Sequence, residues 1–166
     1  MYNLWVILDD KGLCFCLNPN KTDVFYAQKM RSGLKIVRME LNSPEKFGAA
    51  NLTQVFEIEE AQIVNMVVVD DSTLFVLFNR NGKAHLRLIN LQKAKYEDTC
   101  VSADFRGDHM AVSSELGLVV VSCVQQAKAG CINHFKFYDL AMTKEVGDHK
   151  LMVPKPDGKI AIIQAT

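Results

Sequence analysis

Apolar runs and polar breaks alternate along the whole chain, and they are most regular between Val64 and Leu91. Val64-Asn65-Met66-Val67-Val68-Val69 and Thr73-Leu74-Phe75-Val76-Leu77-Phe78 are near-continuous apolar runs, rich in β-branched and aromatic residues. Runs of this kind are expected of strands buried on both faces. Ala84 to Leu91 alternates instead, with Leu86 and Leu88 on one face and Arg87 and Ile89 on the other. Asp70-Asp71-Ser72 and Asn79-Arg80-Asn81-Gly82-Lys83 separate the three runs. Both are turn chemistry, and Gly82 is free to take a positive φ. The stretch predicts strand, turn, strand, turn, strand.

The same pattern recurs on either side. Leu4 to Leu8 and Leu13 to Leu17 flank Asp9-Asp10-Lys11-Gly12 and read as a hairpin. Asn18-Pro19-Asn20-Lys21-Thr22-Asp23 is loop by composition, with Val24 to Lys29 as a short extra strand inside the insertion. Leu34 to Leu41 alternates as a third strand. Ser43-Pro44-Glu45 predicts a helical turn or two. Thr53 to Glu59 predicts a fourth, outer strand. After Leu91, Tyr96 to Val101 is an outer strand, and Ala103 to Val112, Leu118 to Val124 and Ile132 to Leu140 repeat the first three. Ala141 to Val146 leads into another outer strand. Lys150 to Val153 and Ile160 to Ala165, joined through Pro154 to Lys159, predict one more hairpin.

Strand endings give the period. Arg38-Met39-Glu40-Leu41, Leu88-Ile89-Asn90-Leu91 and Phe137-Tyr138-Asp139-Leu140 align at spacings of 50 and 49 residues. Four-stranded units of that length are the signature of propeller blades. Phe135 to Leu140, followed by Thr143-Lys144, resembles the third-strand signature of WD40 repeats, an apolar alternation ending in an aromatic-Asp dipeptide. Pro156-Asp157-Gly158-Lys159 resembles the first turn of a WD40 blade. No Gly-His pair precedes a blade and no Trp-Asp dipeptide occurs, Trp5 being the one tryptophan. The fold expected is therefore all-β: a single domain of degenerate WD40-like β-propeller blades at about residues 1–60, 61–101 and 102–149, with a partial blade at 150–166. Propellers typically need at least four blades to close. An incomplete ring leaves an apolar blade face uncovered, which invites pairing.

Composition narrows the function classes. Hydrophobic residues make up 49% and charged residues 23% of 166 residues, and 19 basic side chains balance 19 acidic ones. Nothing in that balance points directly to nucleic acid or to an anionic membrane. No apolar stretch is long enough to span a bilayer as a helix. Met1 to Leu8 is short and lacks a basic leader, so it reads as a strand rather than a targeting peptide. The five cysteines, Cys14, Cys16, Cys100, Cys123 and Cys131, mostly sit in apolar runs and lack zinc spacing. Buried, reduced thiols of an intracellular, cytoplasmic protein are the expectation.

Candidate chemistry is sparse. Asp9-Asp10 and Asp70-Asp71 could pair as acids, but aspartates at such positions usually form turns. His85, His109, His134 and His149 lack ligand-like spacing, and structural roles are expected for His85 and His134. Cys123 and Cys131 could act as a nucleophile or redox pair only if folding brought them together. No phosphate-binding glycine loop is present. No cofactor and no metal site is expected.

The resemblance to WD40 propellers implies that loops between second and third strands bind peptides, here those around Lys21, Arg80 and Lys128. Arginine is favoured at interface hot spots, so Arg80 leads. The function expected is a non-catalytic protein-protein interaction scaffold, a subunit or fragment of a multiprotein assembly. Its partners would include a chain that completes the ring, or a second copy. The alternative is a propeller-type hydrolase or ligand-binding protein using acidic and histidine residues at a central channel.

Overall fold

The computed structural model describes residues 15–29, 33–41, 52–59, 61–127 and 130–154. Three four-stranded antiparallel sheets make up this part of the chain, with no helix among the described residues. The first sheet contains β1 (Phe15–Leu17), β2 (Asp23–Lys29), β3 (Gly33–Glu40) and β4 (Leu52–Glu59). The second contains β5 (Ala61–Asp70), β6 (Thr73–Arg80), β7 (Lys83–Asn90) and β8 (Lys95–Ser102). The third contains β9 (Arg106–Ser113), β10 (Leu118–Ala127), β11 (Gly130–Asp139) and β12 (Glu145–Pro154). Each sheet is a simple meander, with neighbours in sequence neighbours in space. The first strands β1, β5 and β9 touch in succession, so they form the inner edge of the stack. These are β-propeller blades in an all-β fold.

Blade two holds the stack together. Phe75 and Leu77 of β6 pack with Leu86 against Met110, Val119, Val121 and Cys123 of blade three. Leu74, Val76 and Phe78 alternate with them and pack with Ile89 against Phe25, Ala27, Ile36 and Ile58 of blade one. Leu74 to Phe78 are therefore all fully buried, which is why β6 reads as an unbroken apolar run. Burying each of these large side chains contributes about 1.5–3 kcal/mol. The outer strand β8 is mostly exposed and carries Lys95, Glu97 and Asp98.

Three sequence expectations change. The expected extra strand Val24 to Lys29 is β2, the second strand of blade one, and Phe15–Leu17 is its first strand. The turn between them closes on Asn18, whose Oδ1 accepts the Thr22 and Asp23 amides at 2.9 and 3.0 Å. Lys21 adopts φ 56 there. Next, Lys150 to Val153 is not a separate strand, and the strand expected to pair with it lies outside the described residues. Lys150 to Val153 continues β12, whose ladder with β11 runs to the pair Gly130 and Pro154. Last, β9 starts at Arg106 rather than Ala103, because the Ser102 hydroxyl accepts the Asp104 and Phe105 amides and folds 103–105 into a bend. The strand at 4–8, the Asp9-Asp10 turn, the helical turn at Ser43, the loop at Lys128 and the strand at 160–165 lie outside the described residues.

Candidate interaction surfaces

Antiparallel meanders sort their turns to two ends. The β1–β2 and β5–β6 turns share one end, since Asn18 and Asn20 of the first reach Asp71 of the second. The β6–β7 turn lies at the other end of β6. Lys21 therefore stands at the opposite end from Arg80, joining a first strand to a second. The expectation that Lys21 belongs to a loop between second and third strands is corrected by the placement of β2.

The Lys21 end carries a cleft of about 280 Å³ lined by Asn18, Asn20, Asp23, Arg38, Asp70 and Asp71. Its polar groups serve one another. Arg38 donates from Nε and Nη2 to the Asp23 carboxylate at 2.9 and 3.1 Å. That hydrogen bond raises the already high pKa of the guanidinium. Asn18 Nδ2 donates to Thr22 Oγ1 at 2.8 Å and to Asp23 Oδ2 at 3.2 Å. Asn20 Nδ2 lies 3.2 Å from both oxygens of Asp71. Asp70 Oδ1 accepts the Ser72 amide and hydroxyl, each at 2.7 Å. So Asp70 forms its turn, as expected of Asp at such positions, while Asp71 ties blade two to blade one.

At the other end, Arg80 closes β6 beside Asn81 and Gly82, whose φ values of 52 and 76 form the tight turn expected of Asn-Gly. The Arg80 guanidinium lies 5.3 Å from the Phe78 ring centre. Phe78 stacks in turn on His85 at 5.4 Å. Burial pushes the His85 pKa down, and the charges of Arg80 and Lys83 push it further. Arg80 is thus a half-buried cation held in place by an aromatic stack.

The inner edge is polar. Asn65 Nδ2 donates to Met110 O at 3.0 Å and lies 3.5 Å from His109 Nδ1. Arg106 Nη2 donates to Gln62 Oε1 at 3.1 Å. Among the described residues no three His, Cys, Asp or Glu side chains converge as metal ligands. Cys123 faces blade two, and burial pushes its thiol up to about 11. Cys131 lies on the opposite face of the sheet and donates to Gln126 Oε1 at 3.3 Å. Folding therefore separates these two cysteines. His134 is buried, contacts the Phe105 ring edge and pairs through Nε2 with Asp148.

The sequence leads one to expect an uncovered apolar blade face without saying which side chains line it; among the described residues one face of blade three answers to it. Along β10, Val119, Val121 and Cys123 have no exposed surface, while Val120, Ser122 and Val124 between them are only half-buried. Register sets Phe137 and Ala111 beside Val120, Phe135 beside Ser122, and Asn133 beside Val124. His149 and Leu151 of β12 extend the last two rows. Neither core cluster includes Val120, Val124, Phe135 or Phe137. Lys136, Asp148 and Lys150 take the other face, and Lys136 meets Glu145 at 2.8 Å. The alternation of Phe135 and Phe137 with His134 and Tyr138 carried this signal, because it makes both faces of one strand apolar.

No family model matches this chain, and no curated protein matches it. Among solved structures it is similar to a puromycin hydrolase, the S511A mutant complexed with PGG. The two share 14% sequence identity with a TM-score of 0.54, over 80% of this chain and 21% of that one. The chain thus corresponds to about a fifth of the hydrolase's length. At that identity the likeness concerns fold alone, and it agrees with β-propeller blades.

Proposed function

We propose that this chain is a non-catalytic interaction module of WD40-like type, a subunit or part of a multiprotein assembly in the cytoplasm. The observation that carries the reading is the sidedness of β10. One face packs against blade two, and on the other neither core cluster of the described residues takes in Val120, Val124, Phe135 or Phe137. Contiguous apolar surface rimmed by polar groups marks interaction sites more often than it is tolerated idle. Arg80 adds a fixed cation at one end, and the reduced thiols Cys100, Cys123 and Cys131 are in keeping with an intracellular setting. The second reading, a hydrolase or ligand-binding propeller, would draw on the inner-edge groups Gln62, Asn65, Arg106 and His109.

The deciding experiment is purification of the native protein under mild conditions, followed by mass determination and elemental analysis. The expected result is a stable assembly larger than one chain, without stoichiometric metal. A lone chain carrying one equivalent of metal would overturn the interaction reading in favour of the channel site.

A further inference from the structure

We infer that the open face of blade three pairs with the same face of a second copy of this chain, about a two-fold axis; this rests on the interaction reading above. Three observations favour a second copy over a charged or elongated partner. The first is charge. The rows Ala111-Val120-Phe137-Gly147 and His109-Ser122-Phe135-His149 contain no carboxylate, ammonium or guanidinium, and the third, Arg106-Val124-Asn133-Leu151, carries one, Arg106 at its β9 end. Arg106 and Asp139 stand only at the two margins. Two identical faces can therefore meet without like charges opposing each other, the main obstacle to an isologous contact. Charge depletion with central aromatics is also the composition of an interface core.

The second observation is size. Four strands about 4.8 Å apart and about ten residues long cover about 600 Å², so two copies bury about 1,200 Å², the lower bound of stable specific interfaces. The third is shape. Gly147 opposes Phe137 across the β11–β12 ladder, and a Cβ there would lie 3.3 Å from the Phe137 ring. The missing side chain leaves a hollow on the edge strand beside a standing phenylalanine. Ridge and hollow then interdigitate when the face meets itself, as in sheet-on-sheet packing about 10 Å apart.

The test uses the purified full chain in sedimentation equilibrium from about 1 to 100 µM. A dimer is expected, and Ser122→Lys, which adds charge without removing apolar packing, weakens it at least tenfold. Ser122→Glu does the same, and an equimolar mixture of the two variants recovers the dimer. Leu116→Lys, at an exposed turn off the face, leaves association unchanged and serves as the folding and charge control. A wild-type monomer at 100 µM, or Ser122 variants that still dimerise, overturns the second-copy inference. If that monomer is nonetheless found in a native assembly that Ser122→Lys disrupts, the interaction reading stands and only the identity of the partner falls. If no native assembly exists either, both fall.

Discussion

Arg87 grips Asp98 through two parallel hydrogen bonds, Nε to Oδ1 at 2.6 Å and Nη2 to Oδ2 at 2.7 Å. The same guanidinium donates through Nη1 to the Glu57 carbonyl of blade one at 3.2 Å and lies 3.9 Å from the Tyr96 ring centre. One buried cation thus joins two strands of blade two to the outer strand of its neighbour. Its side chain is 4% exposed and that of Asp98 29%, so the pair is largely shielded from solvent screening.

Asp98→Ala leaves the Arg87 charge buried without its partner and is expected to cost about 3 kcal/mol. The urea midpoint should fall with little change in slope. The double variant Arg87→Leu with Asp98→Leu should be less destabilised than Asp98→Ala alone. Equal losses in the two would show that the ion pair is not what holds these strands.

Two glycines should fail for different reasons. Gly82 has open space around it but φ 76, so Gly82→Ala costs about 1 kcal/mol from backbone strain. A Cβ on Gly107 would meet Leu77 at 3.1 Å, and Leu77 is fully buried. Gly107→Ala therefore overpacks the interface of blades two and three by about 1–3 kcal/mol. Leu77→Val should restore part of that loss and none of the first, measured by thermal denaturation.

Acid should loosen blade three. The His134 hydrogen bond holds the Asp148 carboxyl below the usual carboxylate range, and the Thr143 hydroxyl does the same for Asp139. With folded values depressed, their contribution is complete above the unfolded value of about 3.9 and is lost as pH falls through the folded values. Stability should decline below about pH 4, and Asp148→Asn should flatten part of that decline. Urea midpoints between pH 6 and pH 2 decide the matter, and equal slopes in both proteins would refute it.

Thiol reactivity should follow burial. Cys123 stays protonated at neutral pH and has no exposed surface, whereas Cys100 is exposed. Brief alkylation at pH 7.5 followed by mass spectrometry should find Cys100 modified and Cys123 intact. Prompt modification of Cys123 in the folded protein would contradict the packing of blade three.

Arg80→Glu should leave the melting temperature nearly unchanged, because its ring contact contributes only about 0.5–1 kcal/mol. It should weaken assembly if the β6–β7 turn touches a partner. Native mass measurement separates these outcomes, and an undisturbed assembly would remove Arg80 from the contact.

Blade two was the most legible part of the chain. Its strands carry unmistakable periodicities, and Asn81-Gly82 announces its own turn. Blade one was harder to read. The turn at Asn18 is made by one side chain capturing two amides, and Asn-Pro-Asn-Lys-Thr-Asp looks the same as an open loop. β12 is not legible locally because Glu145 to Lys150 is polar and holds Gly147, yet the ladder from β11 carries it through a bulge at Phe137 and Tyr138. The turn-end latch of Asn18, Asn20 and Asp71 joins residues about fifty positions apart, and no local pattern encodes such a contact. An uncovered blade face follows from the blade count, but which side chains of β10 and β11 line it depends on packing that only the assembled sheets reveal.

The burial of β6 on both sides also bears on how the molecule comes apart. Each sheet is a local meander, so any one can form its ladder early and with little loop-closure cost. Cooperativity then resides in the contacts between sheets, as in other stacked repeats. Losing β6 uncovers two apolar layers at once, whereas losing β12 uncovers part of one. Amides of Leu74 to Phe78 should therefore exchange with deuterium only through global opening, while those toward the outer edge of blade three exchange through smaller, more frequent excursions.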